Sequence, residues 1–458
     1  MHLPRRLQRR ALLSAVSAVL VMAGVAPAFA QGASKPRGIL VLPFATIDVS
    51  RDEQWVGEGI AQSLLLGLVH TPAFVLIDRQ RLRNVPAPDA WDEPAAQAAA
   101  KAVKADVVLY GEVRRVGGEL SLHPRYLEAK GDRLERGALD VLPVTETGLM
   151  DRLRTLPAAY VRALKVSVSD ADAARMQKSA APTPQLRAYE AYVRGRAASY
   201  RNTQEGNEAA VDLLARAIEL DAQFVAAQYA LGTVHQSLGN RWKAAAQFRA
   251  ATQLDPSFPE SYKALGDLFL TAPRRLFDQA IEAYVKALEI RPYFADAHVG
   301  LGDAKAAKGD VDGAVAAYQK ALQYNPMNPK VHVSLGKIYF SEKGLYYESV
   351  NSYKRAVDLD PMFLEARMGL GEVYEDKGLY PEAIAEYKRV VELDARNTGA
   401  LYNLALVYEK VDIKESISLW ERYIQLAGSL PAEKDWVDVA RLHLRKLRNQ
   451  LDKEKKTE

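Results

Sequence analysis

Residues 295–326 read ADAHVGLGDAKAAKGDVDGAVAAYQKALQYNP, and this stretch decides the fold because the chain repeats it. Leu301 and Gly302 lie in its first half, Ala314, Tyr318 and Ala321 in its second, and Pro326 closes it. The Leu-Gly pair recurs at Leu231/Gly232, Leu265/Gly266, Leu335/Gly336 and Leu370/Gly371, then as Leu404/Ala405, at spacings of 34, 36, 34, 35 and 34 residues. The second block recurs in phase as Ala244, Phe248 and Ala251; Ala280, Tyr284 and Ala287; Ser349, Tyr353 and Ala356; and Ala383, Tyr387 and Val390. Pro256, Pro292 and Pro361 close other units. A period of this length marks stacked helical hairpins. Gly in the first helix and Ala in the second remove bulk where the two helices cross, while the aromatic fills the gap to the next hairpin. Proline stops the second helix and suits the first turn of the next.

This pattern of Leu, Gly, small, aromatic, small and Pro positions resembles the tetratricopeptide repeat in five units. A sixth unit matches more loosely through Ser416, Trp420 and Tyr423. The early Trp position of that repeat instead holds Gln228, Tyr262, His298, His332, Arg367 and Leu401. A further hairpin precedes the first clear unit, with Gly195, Ala210, Leu214 and Ala217 in the expected roles. The array is therefore expected over residues 185–427 as seven hairpins. Trp436, Val439, Ala440, Leu444, Leu447 and Leu451 then form one apolar stripe, as expected of a capping helix over residues 431–451 that covers the last exposed core. Residues 452–458 are expected to be a disordered, solvated tail.

Residues 1–30 have a basic start at Arg5, Arg6, Arg9 and Arg10, an apolar core, and small residues at Ala28 and Ala30. That is the pattern of a secretory signal peptide cut after Ala30, with an uncleaved anchor as the alternative. Sec and twin-arginine export both remain open. Removal of the leader takes four arginines from 61 basic residues and leaves 57 against 57 acidic ones, so the basic balance of the whole chain does not point to nucleic acid. The chain has no cysteine, hence no disulfide, thiolate metal site or lipidated N-terminal Cys. A periplasmic or secreted protein without a stable membrane anchor is expected.

Residues 36–168 alternate short apolar runs with amphipathic stretches. Strands are expected at 38–44, 74–77, 106–113, around Leu120 to Tyr126, and at 136–142, with helices at 55–69, 94–103 and 149–164. This is an α/β unit on a mixed sheet. Its segments ILVLPF, GEGIAQSLLLGL, FVLIDRQRL and ADVVLYGEVRR resemble the TolB amino-terminal-like and FlgO-like domains of bacterial envelope proteins, with Lys130/Gly131 at a hairpin usually made by Thr-Gly. The resemblance implies a noncatalytic domain that engages partner proteins. Gly57 and Gly59 begin a G-x-G, but Gln62 replaces the third Gly, and close helix packing is the expected role. Residues 169–184, small, polar and Pro-containing, read as a linker that lets the two regions move.

No catalytic, cofactor or metal motif is present in the sequence. His298 and His332 occupy equivalent places in adjacent units, where packing is expected rather than metal binding. If the hairpins stack, first-helix positions face a concave groove, where eight carboxylates meet three lysines. The candidate partner-binding residues are Tyr229, Lys263, Asp267, Val299, Asp303, Lys337, Phe340, Met368, Glu372, Glu375, Tyr402, Leu406 and Glu409. The fold expected is thus an α/β domain followed by an all-α superhelical solenoid, acting as a noncatalytic scaffold for a basic or amphipathic protein segment. The alternatives are a regulatory module whose α/β domain binds the partner, and an enzyme with an unrecognised site in that domain.

Overall fold

The structure, a computed structural model, describes residues 35–82, 85–86, 88–116, 119–145 and 148–457. The expected leader lies outside them. Among the described residues no helix is long and apolar enough to cross a membrane.

The α/β region opens with β1 (Arg37–Val41), β2 (Ala45–Ile47) and α1 (Trp55–Leu68), followed by β3 (Phe74–Ile77) and α2 (Glu93–Val103). Next come β4 (Val107–Val116), β5 (Glu119–Lys130), β6 (Arg133–Ala138), β7 (Leu142–Val144) and α3 (Leu149–Ala163). The sheet order is β3-β1-β4-β5-β6, with β2 beside β4 and β7 beside β5. β1 pairs in parallel with β3 and β4, whereas β5 is antiparallel to β4, β6 and β7, so the sheet is mixed. The β5–β6 turn relies on Gly131, whose φ of +60° suits a residue without a Cβ. Alternate residues of the central strands face opposite ways: Ile39, Val41, Val107 and Leu109 pack with α1 and α3, while Leu40, Leu42, Val108 and Tyr110 pack with α2. The stretch expected as one strand at 136–142 is divided between β6 and β7, both on β5.

The stretch expected as a linker folds instead. α4 (Asp170–Ala180) is capped by Ser169, whose hydroxyl accepts from Asp172 N, and it buries Met176 and Ala180 against α1 and α3. Ser63 Oγ, fully buried in α1, donates to Ala180 O at 2.7 Å.

Seven hairpins follow: α5 (Leu186–Ser199) with α6 (Gln204–Leu220), α7 (Val225–Ser237) with α8 (Arg241–Leu254), α9 (Pro259–Leu270) with α10 (Phe277–Ile290), and α11 (Ala295–Lys308) with α12 (Val311–Tyr324). The last three are α13 (Pro329–Ser341) with α14 (Tyr346–Leu359), α15 (Leu364–Asp376) with α16 (Tyr380–Leu393), and α17 (Thr398–Tyr408) with α18 (Ile413–Ala427). Tyr284 shows why the small residues are needed. Its ring lies between Gly266 of its own hairpin and Gly300 of the next, and a Cβ at either glycine would come within 2.7 or 2.3 Å of the ring. The cap α19 (Lys434–Thr457) packs on α18 and buries Val437, Ala440 and Leu447. It runs on through the residues expected to form a disordered tail.

The two regions are not separate bodies. One apolar cluster runs from Ile39 and Leu109 through α1 and α3 to Tyr189, Leu214, Phe224 and Val234 of the first hairpins. Tyr189, fully buried, donates its hydroxyl to Gly59 O at 2.6 Å and meets Trp55 edge-on at 6.1 Å. Farther along, Lys178 of α4 bridges Asp255 at 2.8 Å, and Tyr293 donates to Asp172 at 3.0 Å.

Candidate partner-binding surface

First helices of neighbouring hairpins touch, α5 with α7, α7 with α9, α9 with α11 and α13 with α15, which gives an inner row in two runs, α5 to α11 and α13 to α15. Of the thirteen predicted residues twelve belong to the first helices α7, α9, α11, α13, α15 and α17, and Glu409 is the C-cap of α17. Several of them already have partners. Lys263 and Asp267 form an i,i+4 bridge at 2.7 Å, and the pull of Asp267 outweighs burial to hold the lysine above its usual range. Tyr284 donates to Asp267 at 2.8 Å, Tyr318 to Asp303 at 2.6 Å and Tyr387 to Glu375 at 3.0 Å. Trp420 Nε1 donates to Glu409 at 2.9 Å, and His443 of the cap approaches the same carboxylate at 2.7 Å.

These acids therefore have a structural task that the sequence reading missed. A buried hydroxyl or indole N–H needs an acceptor, and the first helix provides one. The signal was present in the sequence: the unit with Phe248, which has no hydroxyl, carries Thr233 where its neighbours carry Asp267 and Asp303. Lys337, in the same place, cannot accept from Tyr353.

The apolar footholds divide into two groups. Val299, Phe340, Met368 and Leu406 are half-buried beside the hairpin cores. Tyr229 packs on Phe248 and Phe258 at 5.7 and 5.6 Å. Tyr402 meets Trp420, Tyr423 and Trp436 edge-on at 5.0, 5.4 and 5.4 Å, so the cap helix occupies the last unit's side of the row. The accessible middle of the row comprises Asp303, Lys337, Phe340, Met368 and Glu372. Burial raises the Asp303 carboxyl above the ordinary range despite its Tyr318 bond.

Each member of the His298 and His332 pair is tied to its own turn. His298 Nε2 donates to Pro292 O at 2.9 Å and Arg367 Nε to Pro361 O at 3.1 Å, and the Pro326 carbonyl lies near enough to His332 to favour its protonated form. At His298 and Arg367 the position where a repeat would carry Trp thus keeps an N–H donor aimed six residues back. Among the described residues no cluster of His, Asp and Glu could hold a metal ion. The Gly57 segment is a close contact between α1 and the chain after β1, since a Cβ there would fall 2.0 Å from Phe44 O.

Family models described as TPR repeat match residues 277–309, 302–342 and 371–412, and one described as tetratricopeptide repeat matches 225–258 and 329–361. No curated protein sequence matches the chain. Among solved structures, MamA is 25% identical over 36% of this chain and 95% of its own, with a TM-score of 0.33. YrrB, described as a TPR protein with an unusual peptide-binding site, is 23% identical over 44% of this chain and 100% of its own, with a TM-score of 0.36. PilF of Pseudomonas aeruginosa is 18% identical over 49% of this chain and 97% of its own, with a TM-score of 0.42. The helical hairpins built on the Leu-Gly, small and aromatic positions are tetratricopeptide repeats.

Proposed function

We propose that this chain is an exported, noncatalytic scaffold that holds a basic or amphipathic protein segment on the inner row of its repeats. The carrying observation is that half-buried Phe340 and Met368 stand on the touching first helices α13 and α15 that also carry Lys337 and Glu372, with Asp303 on the preceding first helix α11. Apolar anchors ringed by charge suit an extended or helical segment, with the charges setting encounter and orientation. The leader-like residues 1–30 support export to the cell envelope, and an intact Met1 on the cellular protein would overturn that part. Residues 36–168 we assign to the TolB amino-terminal-like and FlgO-like group on the strand and helix pattern quoted above.

Crosslinking from envelope extract supplies the partner, and its affinity is then measured against variants. Phe340→Ala is expected to raise the dissociation rate, costing about 1–3 kcal/mol. Asp303→Lys with Glu372→Lys is expected to slow association and flatten its salt dependence. Full affinity in a folded Phe340→Ala, Met368→Ala variant would move the site off this row. A second reading, a regulatory module, draws on the core shared by the sheet and the first hairpins, which couples a partner on one to the other.

A further inference from the structure

A cleft of about 390 Å³ opens where the sheet meets the array, between the turn after β3 and the ends of α5 and α7. Its charge is unusual. Arg196 reaches into it from α5, and among the described residues no carboxylate pairs with it; its Nη2 donates to the Tyr200 hydroxyl at 3.2 Å and its Nε is buried without an acceptor. Arg79, on the opposite wall, differs. Both its terminal nitrogens are spent on Glu58, at 2.8 and 2.5 Å, which neutralises that pair. Asp78 stands exposed at the rim, with Oδ1 accepting from Gln80 N.

Tyr200 lies between the two guanidinium groups, which sit 4.8 and 5.0 Å from its ring centre. Its oxygen accepts from Arg196 Nη2 and from Gln62 Nε2 at 3.4 Å, so its own O–H is left to donate into the cleft. Burial alone would raise this phenol, yet the flanking guanidinium groups hold it below its usual range. Leu65, Leu76 and Val234 supply an apolar wall. A second cavity of about 960 Å³, lined in part by Leu82 and Trp91, shares Arg79 and Tyr200 with the first.

We propose that this cleft binds a small organic oxyanion, a carboxylate or a phosphate ester with an apolar body. Arg196 and the Tyr200 hydroxyl take the oxyanion, and Leu65, Leu76 and Val234 receive the body. A guanidinium without a carboxylate favours an oxyanion ligand because planar donors match two oxygens at once. The volume is that of an ordinary small-ligand site. Because its walls come from both regions, the ligand stabilises their junction, independently of any segment on the inner row.

The test is calorimetric titration of the full mature chain with benzoate and with phenyl phosphate. Saturable binding to the wild type is expected, weakened roughly tenfold or more by Arg196→Met and by Tyr200→Phe, and unchanged by Arg216→Met on the outer face of α6. The better probe assigns the class, carboxylate or phosphate ester. Tyr200→Phe keeps the ring packed and carries the test should Arg196→Met fail to fold by circular dichroism. Absence of saturable binding for both probes, or equal binding by wild type and both cleft variants, overturns the proposal.

Discussion

Asp303 and His332, one helix apart in sequence, respond to pH in opposite directions. Burial raises the Asp303 carboxyl, so the folded protein holds that proton more readily than the unfolded chain does. Its stabilising effect is present in acid and is lost as pH rises through the folded value. Asp303→Asn keeps an oxygen for Tyr318 and removes the buried charge. It is expected to leave stability at pH 7 unchanged or raised by up to ~1 kcal/mol, with the gain vanishing below about pH 4, measured by urea melts. His332 runs the other way: burial first, then Arg355, pushes its imidazole down to about 4, as burial and Arg291 push His70 down to about 4. The folded rings are neutral. Stability is full above the unfolded value of about 6.5 and is lost as pH falls toward about 4. His332→Trp retains an N–H for the Pro326 carbonyl and cannot titrate, so its melting temperature should fall less than the wild type's between pH 7 and about pH 5. The place of these acids on the first helices was legible from the repeat phase, but the tyrosines' claim on them was not, because it depends on which way each ring turns between helices.

At the level of the helix pair, the glycines set the spacing. Gly300→Ala would place a Cβ 2.3 Å from the Tyr284 ring and is expected to cost about 1–3 kcal/mol by overpacking, read as a lowered urea midpoint. α4 is the element whose place the sequence hid. Its Ser169 cap and its alanines suit a helix, yet only Met176 and Ala180 are buried and its partners α1 and α3 are distant in sequence, so a short polar stretch looked like a linker. The consequence reaches the domain boundary. Residues 36–168 expressed alone would expose the α1 face that Tyr189 and its neighbours cover, and are expected to aggregate or melt without cooperativity. Residues 36–238, which keep α4 and α5 to α7, are expected to give one cooperative calorimetric transition.

Over the whole molecule, apolar burial concentrates at the two ends of the array. The first hairpins share the sheet's core, and the last three units join the cap in another large cluster built on Tyr387, Trp420 and Tyr423. Between them the clusters are small, as with Ala280, Tyr284 and Ala304, and the contact of α12 with α13 is the sparsest junction between successive hairpins. Amides of α12 and α13 are therefore expected to exchange with deuterium faster than those of α6 or α18; equal protection throughout would contradict this. The hairpin period was plain in the Leu-Gly spacing, but this uneven burial was not, since every unit carries nearly the same small and aromatic positions. In mechanical terms the sparse junction of α12 with α13 makes residues 325–328 the expected pivot of a pair of calipers. A small rotation there would change the gap between the jaw bearing Asp267 and Asp303 and the jaw bearing Met368 and Glu372. On that expectation a segment touching both jaws would fix the pivot angle, and one touching a single jaw would leave it free to swing.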